Sequence, residues 1–252
     1  MTQSGSTTKA AFFARIRDEM RKTPGLFAAT TAPRPPAPRR LAETIRRELS
    51  ERWPQTLERF RREFERVGGD FHRVATVADV PGLVARIARE RGGRRVVTWH
   101  PTALGVDLTS GLAAQGLESL TMPAAGGGDG PERTALRDKI AAAEIGLTGA
   151  DLAIAETGSL VLVSGGGRPR STALLPPYHV AVFDREALVE SLEQAGVFFE
   201  AWHEGPAEPG RGAAIHVITG PSRTADIELT LTRGVHGPKE VHAIFVDAPI
   251  RG

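Results

Sequence analysis

Apolar positions along the chain change from helical spacing to short runs, and the change predicts two differently built regions. Near the amino terminus, large apolar residues recur at helical spacing and predict a helix over residues 8–22. Residues 28–38 are rich in proline and are expected to form an extended linker. A longer helix is predicted over residues 39–67, with a kink or break at Trp53-Pro54. We interpret residues 1–67 as an N-terminal helical arm.

From residue 68 onwards, short apolar runs alternate with helical segments. Strands are predicted at residues 71–75, 95–99, 117–122, 152–157, 159–164, 179–183, 215–219 and 241–246. Helices are predicted at 77–91, 133–143 and 184–195, with partly helical structure at 101–115 and a flexible loop at 124–130. Gly146 and Gly149 are expected to end the helix that begins at residue 133. Residues 68–252 therefore predict one α/β domain with an open, mainly parallel, Rossmann-like sheet and a small antiparallel insertion at 152–164.

Composition excludes several classes of chemistry. The chain has no cysteine, which excludes disulfides, thiolate catalysis and any iron–sulfur cluster held by its own thiolates. No apolar run approaches the roughly 18 residues of a membrane span, and the start lacks the long apolar segment of a signal peptide. A cytoplasmic protein is therefore expected.

Charge is unevenly distributed along the chain. Residues 1–95 contain 21 Lys and Arg against 11 Asp and Glu, whereas residues 96–252 contain 11 against 19. A basic front half suits nucleic acid, an acidic partner or the acidic rear half of the same chain. However, its arginines are interleaved with glutamates, as in residues 58–63, which indicates a solvated helix face. We predict no nucleic-acid partner.

Polar clusters follow several predicted strands. Because ligands of open α/β sheets gather beyond the carboxyl ends of the strands, we expect these clusters to converge on one pocket. The clusters are residues 99–102, 156–159, 165–170 and 219–228.

The 219–228 segment is the densest of these clusters in chemically capable groups. Gly220 helps to break the preceding strand, and Ser222 or Thr224 is suited to cap a following helix. Free backbone N–H groups beside Arg223 would suit a phosphate or a carboxylate.

Asp226 and Glu228 have two open interpretations. On a strand they would share a face and act together, whereas in a helix Asp226 would lie in the first turn and favourably meet the helix dipole. A hard-ligand metal site that adds His100 and His236 is a further alternative that the sequence leaves open.

Glu156 and the 165–170 loop also admit both functional and structural interpretations. A partly buried Glu156 carboxylate at a strand end would suit acid/base or nucleophilic chemistry, but it would equally suit a structural pair with Arg168 or Arg170. Those two guanidiniums and the glycine backbone would hold an anion, or the segment is a plain hairpin loop.

Four segments together resemble the lactate utilisation protein C family, whose members carry a LUD domain. They are residues 155–159, 174–179, 219–228 and 234–238, and the resemblance extends over about residues 8–247. It implies a fold akin to the NagB/RpiA/CoA-transferase-like group and a cytoplasmic subunit of a system that converts L-lactate to pyruvate. In that system partner proteins carry the iron–sulfur clusters, so this chain is expected to bind no cofactor of that kind and to have iron–sulfur proteins as partners.

The residues and the resemblance together give a set of candidates. The candidate catalytic residues are Glu156, Asp226, Glu228 and His236. The candidate residues for binding a small carboxylate are Thr157, Arg168, Arg170, Gly220, Ser222, Arg223 and Thr224. Three matters stay open: an acyl- or CoA-handling enzyme with Glu156 as nucleophile, a non-catalytic scaffold for the iron–sulfur proteins, and a homodimer.

Overall fold

The computed structural model describes residues 9–22, 35–124, 131–205, 211–225 and 231–250. The chain divides into two compact units, residues 1–36 and residues 37–252. The first unit contains helix α1 (Lys9–Arg21), which confirms the predicted amino-terminal helix. Most of the predicted linker and most of the predicted 124–130 loop lie outside the described residues. No helix of the described residues is long and apolar enough to cross a bilayer.

The second unit alternates helices with strands. Its helices are α2 (Pro38–Arg66), α3 (Val80–Glu90), α4 (Pro101–Leu104), α5 (Thr109–Ala114), α6 (Pro131–Ala142), α7 (Ser171–Leu174) and α8 (Leu192–Trp202), with 3-10 turns at Val77–Asp79 and Arg185–Ala187. Its strands are β1 (Asp70–Val74), β2 (Arg95–Thr98), β3 (Glu118–Thr121), β4 (Ile145–Gly149), β5 (Leu152–Ile154), β6 (Ser159–Gly165), β7 (Tyr178–Phe183), β8 (Leu188–Val189), β9 (Arg211–Ile218), β10 (Arg223–Ala225), β11 (Leu231–Arg233) and β12 (Glu240–Val246).

Three sheets organise these strands. The largest has the order β1-β12-β7-β4-β2-β3, and every neighbouring pair in it is parallel. A second sheet has the order β8-β5-β6-β9, in which β6 is antiparallel to both of its neighbours. Strands β10 and β11 form a separate antiparallel hairpin. The predicted α/β class, with a parallel main sheet and an antiparallel insertion, is confirmed.

Helix α2 packs into the core of this unit. It kinks at Arg52 (φ −121°, ψ 15°), two residues before Pro54, as expected for a ring that removes a helical N–H and crowds the preceding turn. Phe60 and Phe64 are fully buried, with ring centroids 5.3 Å apart, and Phe60 also contacts Phe183 of β7 edge-to-face. The sequence interpretation assigned this helix to an N-terminal arm, whereas here its apolar face is buried in the α/β unit.

Strand β4 is the largest departure from the predicted elements. Its two glycines predict the end of a helix, yet all five residues form a strand that is buried at the centre of the main sheet. A Cβ on Gly146 would lie 1.8 Å from the carbonyl oxygen of Thr172, and one on Gly149 would lie 3.6 Å from the Trp99 ring. Gly146 therefore allows the close approach of the Thr172 backbone, whereas a Cβ at Gly149 would make only an ordinary contact, and neither glycine ends an element.

The predicted helix over residues 184–195 is wrong. Asp184 accepts a hydrogen bond from the backbone N–H of Glu186 at 2.9 Å and begins a 3-10 turn, after which β8 pairs in parallel with β5. Helix α8 begins only after Ser191, whose hydroxyl accepts from the backbone N–H of Gln194 at 3.2 Å. Pairing of two buried apolar residues with a distant strand thus overrides the local helical pattern.

Candidate functional site

The strand order creates a crevice between β2 and β4. From β2 the chain winds outwards to β3 at one edge, whereas β4 lies on the other side of β2 and leads on to β7 and β12. Ligands of open α/β sheets bind beyond the carboxyl ends of the strands at such a reversal. A cavity of about 240 Å³ opens there, with Trp99, Asp151 and Asp184 following β2, β4 and β7. We call it the switch-point cavity.

Arg46 supplies a positive charge to the switch-point cavity. It extends from α2 and lines the cavity together with Trp202 of α8. Its guanidinium carbon lies 4.7 Å from the centre of the Phe198 ring, a cation–π contact. Within the ranges that the structure describes, Arg46 donates no hydrogen bond to another residue. Its N–H groups therefore remain available to a ligand.

Burial and charge act in opposite directions on Arg46. Burial lowers the pKa of Arg46 below the usual value for arginine, and the nearby carboxylates of Glu186 and Asp184 partly offset this effect. The guanidinium of arginine stays protonated in proteins, so the side chain still carries its charge at neutral pH. A cation held partly out of water attracts an anionic group more strongly than an exposed one.

Two carboxylates at the rim of the switch-point cavity are held in place by backbone N–H groups. Asp151 accepts from Val163 N at 2.7 Å and pairs with the Arg168 guanidinium at 2.9 Å. Asp184 accepts from Ile250 N at 2.7 Å in addition to its bond from Glu186 N. The site therefore combines an uncommitted guanidinium with fixed carboxylate oxygens, an arrangement suited to a small molecule that carries an anionic group and a hydroxyl.

Two of the four predicted clusters meet beside the cavity. His100 N donates to the carbonyl of Gly167 at 2.7 Å, which joins residues 99–102 to the 165–170 loop. Gly167 has φ +73°, and a Cβ there would lie 2.7 Å from the His100 Cβ, so glycine is needed at this contact. Arg168 is almost buried and its charge is neutralised by Asp151, whereas Arg170 is exposed. Arg168 thus serves first to hold Asp151.

The other two clusters are joined by hydroxyl groups. Ser159 Oγ lies 2.7 Å from Thr157 Oγ1 and 2.7 Å from Thr219 Oγ1. This chain of hydroxyls connects the start of β6 to the segment that follows β9. Hydrogen bonds thus associate the four clusters in two pairs.

Glu156 does not have the surroundings that were expected from its strand-end position. Its carboxylate is exposed and accepts a hydrogen bond from Leu192 N at 2.9 Å, at the amino end of α8. A helix amino terminus stabilises a negative charge. The expectation of a partly buried Glu156 is therefore wrong, while its assignment as a nucleophile stays a prediction.

The segment after Thr219 forms a hairpin rather than a capped helix. Ser222 N donates to Pro238 O at 2.9 Å, and Ser222 Oγ accepts from His236 N at 3.2 Å. Strand β10 then pairs with β11, so the expectation that Ser222 or Thr224 caps a helix is wrong. The hydroxyl joins two chain segments instead, since long-range pairing fixes this turn.

Arg223 fastens this hairpin to the end of α2. Its guanidinium donates to the carbonyl of Val67 at 2.5 Å. Gly220 packs against the same carbonyl. It has φ +74°, and an added Cβ would lie 2.5 Å from Val67 O, so a larger residue would not fit there. Asp226 and Glu228 lie outside the described residues, as does the side chain of Thr224. The catalytic assignments of Asp226, Glu228 and His236 stay predictions.

The sequence did not single out Arg46, Asp151, Asp184 or Glu186. Asp184 directly follows the predicted strand 179–183, and a polar residue at that position indicates a candidate ligand-binding group. The incorrect helix prediction over residues 184–195 assigned Asp184 to a helix instead. Asp151 gave no such signal, because β4 was not predicted. Arg46 is one of many arginines in a polar helix, and only the packing of α2 directs it into the cavity.

Comparisons with known proteins agree with one another. The LUD domain family model matches residues 57–246. Lactate utilization protein C from Halalkalibacterium halodurans is 35% identical over 165 residues, which cover 65% of this chain and 67% of that protein. The protein of the same name from Macrococcus caseolyticus is 30% identical over 180 residues, which cover 68% and 70%. For that from Shouchella clausii the values are 38% over 105 residues, and the chain spans 44% of its length.

Among solved structures, a DUF162 family protein from Deinococcus radiodurans is similar to this chain. The alignment has a TM-score of 0.49 and 20% identity, and it covers 77% of this chain and 98% of that protein.

Proposed function

Because the chain belongs to the LUD domain family, we propose that it acts in the utilisation of lactate and binds a small hydroxycarboxylate in the switch-point cavity. Two relatives that are 30–35% identical over about two thirds of their length carry the name lactate utilization protein C. This name supports the pathway, and the charges in the cavity support the chemical class of the ligand.

The observation that carries the proposal is the Arg46 guanidinium inside the cavity. A carboxylate of lactate or pyruvate would accept hydrogen bonds from its uncommitted N–H groups. The hydroxyl of lactate would donate to a rim carboxylate, of which Asp184 and Asp151 are held in place by backbone N–H groups. A volume of about 240 Å³ suits a ligand of this size better than a large cofactor.

Calorimetric titration tests the ligand. L-lactate, D-lactate and pyruvate are titrated into the wild type and the Arg46→Gln variant. Loss of a charge-assisted pair costs roughly 1.5–3 kcal/mol, so lactate affinity should fall by about 10- to 150-fold. Arg47→Gln is the matched control, because Arg47 is the next residue of α2 and is exposed. Equal binding by the Arg46 variant, or no binding by wild type, would contradict the proposal.

We further propose that iron–sulfur partner proteins accept the electrons. Oxidation of lactate to pyruvate releases two electrons and two protons, and a chain without cysteine has no thiolates to hold an ordinary cluster. The purified chain and candidate cluster proteins are mixed with lactate and a dye acceptor. We expect dye reduction only with both present, and loss of reduction with Arg46→Gln while the proteins still co-purify. Reduction at the same rate without this chain would refute the role.

A further inference from the structure

A second group of polar side chains lies at the opposite end of the main sheet. Asp70 is the first residue of β1 and is in register with His242 of β12, so the two side chains point to the same face. His72 and Glu240, each two residues away along its own strand, point to that face as well. Strand β12 continues from Glu240 to Val246, which separates this group from the carboxyl ends of the strands by about 20 Å.

The side chains of His72 and Asp70 both approach the Nδ1 nitrogen of His242. His72 Nε2 lies 3.2 Å from His242 Nδ1, and Asp70 Oδ2 lies 3.7 Å from the same nitrogen. In a tetrahedral site with metal–ligand bonds of about 2.0–2.1 Å, ligand atoms are separated by about 3.3 Å. The His72–His242 contact matches that separation, whereas Asp70 lies farther from His242 and has to turn towards the two imidazoles. The ligand atoms of Asp70, Glu240 and His242 lie within 4.8 Å of one another.

Glu240 orients the His242 ring. Its Oε2 lies 3.3 Å from His242 Nε2 and also pairs with Arg91 at 2.5 Å. A metal-bound histidine usually donates its other ring N–H to a carboxylate, which fixes the tautomer and raises the basicity of the ligating nitrogen. With Nε2 donating to Glu240, the Nδ1 lone pair is directed at His72 and Asp70. Arg91 neutralises Glu240, so this carboxylate serves as the orienting group.

The group is buried on one side and open to solvent on the other. His242 is only 1% exposed. Asp70 is 53% exposed, which leaves solvent access on its side of the group.

We propose that Asp70, His72 and His242 bind a divalent transition metal such as Zn²⁺, with Glu240 as the carboxylate that orients His242. Two imidazoles and one carboxylate form a donor set that zinc uses, and the solvent-exposed side leaves a fourth position for water. The site is independent of the switch-point cavity, because it shares no residue with that cavity.

Titration of the full chain with Co²⁺ and then Zn²⁺ tests the site. After chelator treatment, one equivalent of Co²⁺ should give the intense visible absorption of tetrahedral coordination, and Zn²⁺ should displace it. Asp70→Asn and His72→Gln should each weaken affinity at least tenfold, and Glu240→Gln by roughly 10- to 100-fold. His203→Gln is the matched control, since His203 is exposed on the helical side of the fold and should leave affinity unchanged.

The alternative is a pair of histidines joined only by a hydrogen bond. In that case Co²⁺ gives the weak absorption of the hydrated ion, or Asp70→Asn and His72→Gln bind metal as tightly as wild type. Either result overturns the proposal. Circular dichroism of each variant confirms that the fold is retained, and the two main variants avoid the buried His242, whose replacement risks unfolding.

Discussion

Replacing Gly146 by alanine should destabilise the protein strongly, because a buried carbonyl occupies the space of the new methyl group. The Cβ would lie 1.8 Å from Thr172 O and 2.9 Å from Thr172 C. A contact of at least 3.0 Å requires the two backbones to separate by about 1.2 Å. Overpacking of a core typically costs about 1–3 kcal/mol, and we expect the upper end, because a backbone atom cannot rotate away. For a chain of this size that corresponds to a melting temperature lower by about 6–12 °C.

Gly196→Ala provides the matched control for the same chemical change. Gly196 lies inside α8, and nothing lies within 4 Å of an added Cβ. Alanine in a helix interior is favoured over glycine by up to about 1 kcal/mol, so this variant should be equally or more stable than wild type. Urea denaturation followed by far-ultraviolet circular dichroism measures both variants. Surface substitutions usually change the free energy of unfolding by less than roughly 0.5 kcal/mol. If Gly146→Ala also stays within that range of wild type, the close packing of β4 on Thr172 is refuted.

Three further predictions concern the core, the cavity rim and acid stability. Phe60→Ala should cost about 3–5 kcal/mol in urea denaturation, since Phe60 is fully buried; a loss below about 1 kcal/mol would contradict the packing of α2 into the α/β unit. Arg168→Gln should lower the free energy of unfolding by roughly 1.5–3 kcal/mol, because it leaves Asp151 without its ion-pair partner. Equal losses in Arg168→Gln, Asp151→Asn and the double variant would confirm that the two residues are coupled, whereas additive losses would refute it. Burial lowers the pKa of His179 to about 3, so below pH 6.5 the unfolded chain gains a proton that the folded chain does not, and stability falls as pH decreases towards 3. His179→Gln should flatten that decline by up to about 1.4 kcal/mol per pH unit, and an unchanged slope between pH 6.5 and pH 4 would exclude this cause.

Local pattern was sufficient for most helices and strands of this protein. Strands β1, β2, β7 and β12 are short β-branched or aromatic runs, and α2 carries its apolar residues at helical spacing up to Phe64. These signals depend on neighbouring residues alone, so the sequence also predicted the α/β class. The family resemblance likewise came from short segments, and it is confirmed by the match over residues 57–246.

Elements that depend on distant partners were not predictable in this way. Strand β4 contains two glycines that local rules interpret as a stop, yet its backbone must approach Thr172 closely. Strand β8 exists because two apolar residues pair with β5, and the hairpin of β10 and β11 replaces a helix that Ser222 was expected to cap. In each case contacts across the fold outweigh local preference.

The same distinction between local pattern and distant contacts applies to the residues of the candidate site. The sequence by itself determined which groups are available: no thiolate, a carboxylate or arginine after several strands, and histidines within apolar runs. Only the tertiary structure decided which of them remain uncommitted. Arg168 and Arg223 are occupied by Asp151 and by Val67 O, whereas Arg46 reaches the switch-point cavity from a helix that precedes every strand of the main sheet. The physical reason is that a charged side chain binds a ligand only where the fold has left it without an internal partner, and that depends on packing between segments far apart in the chain.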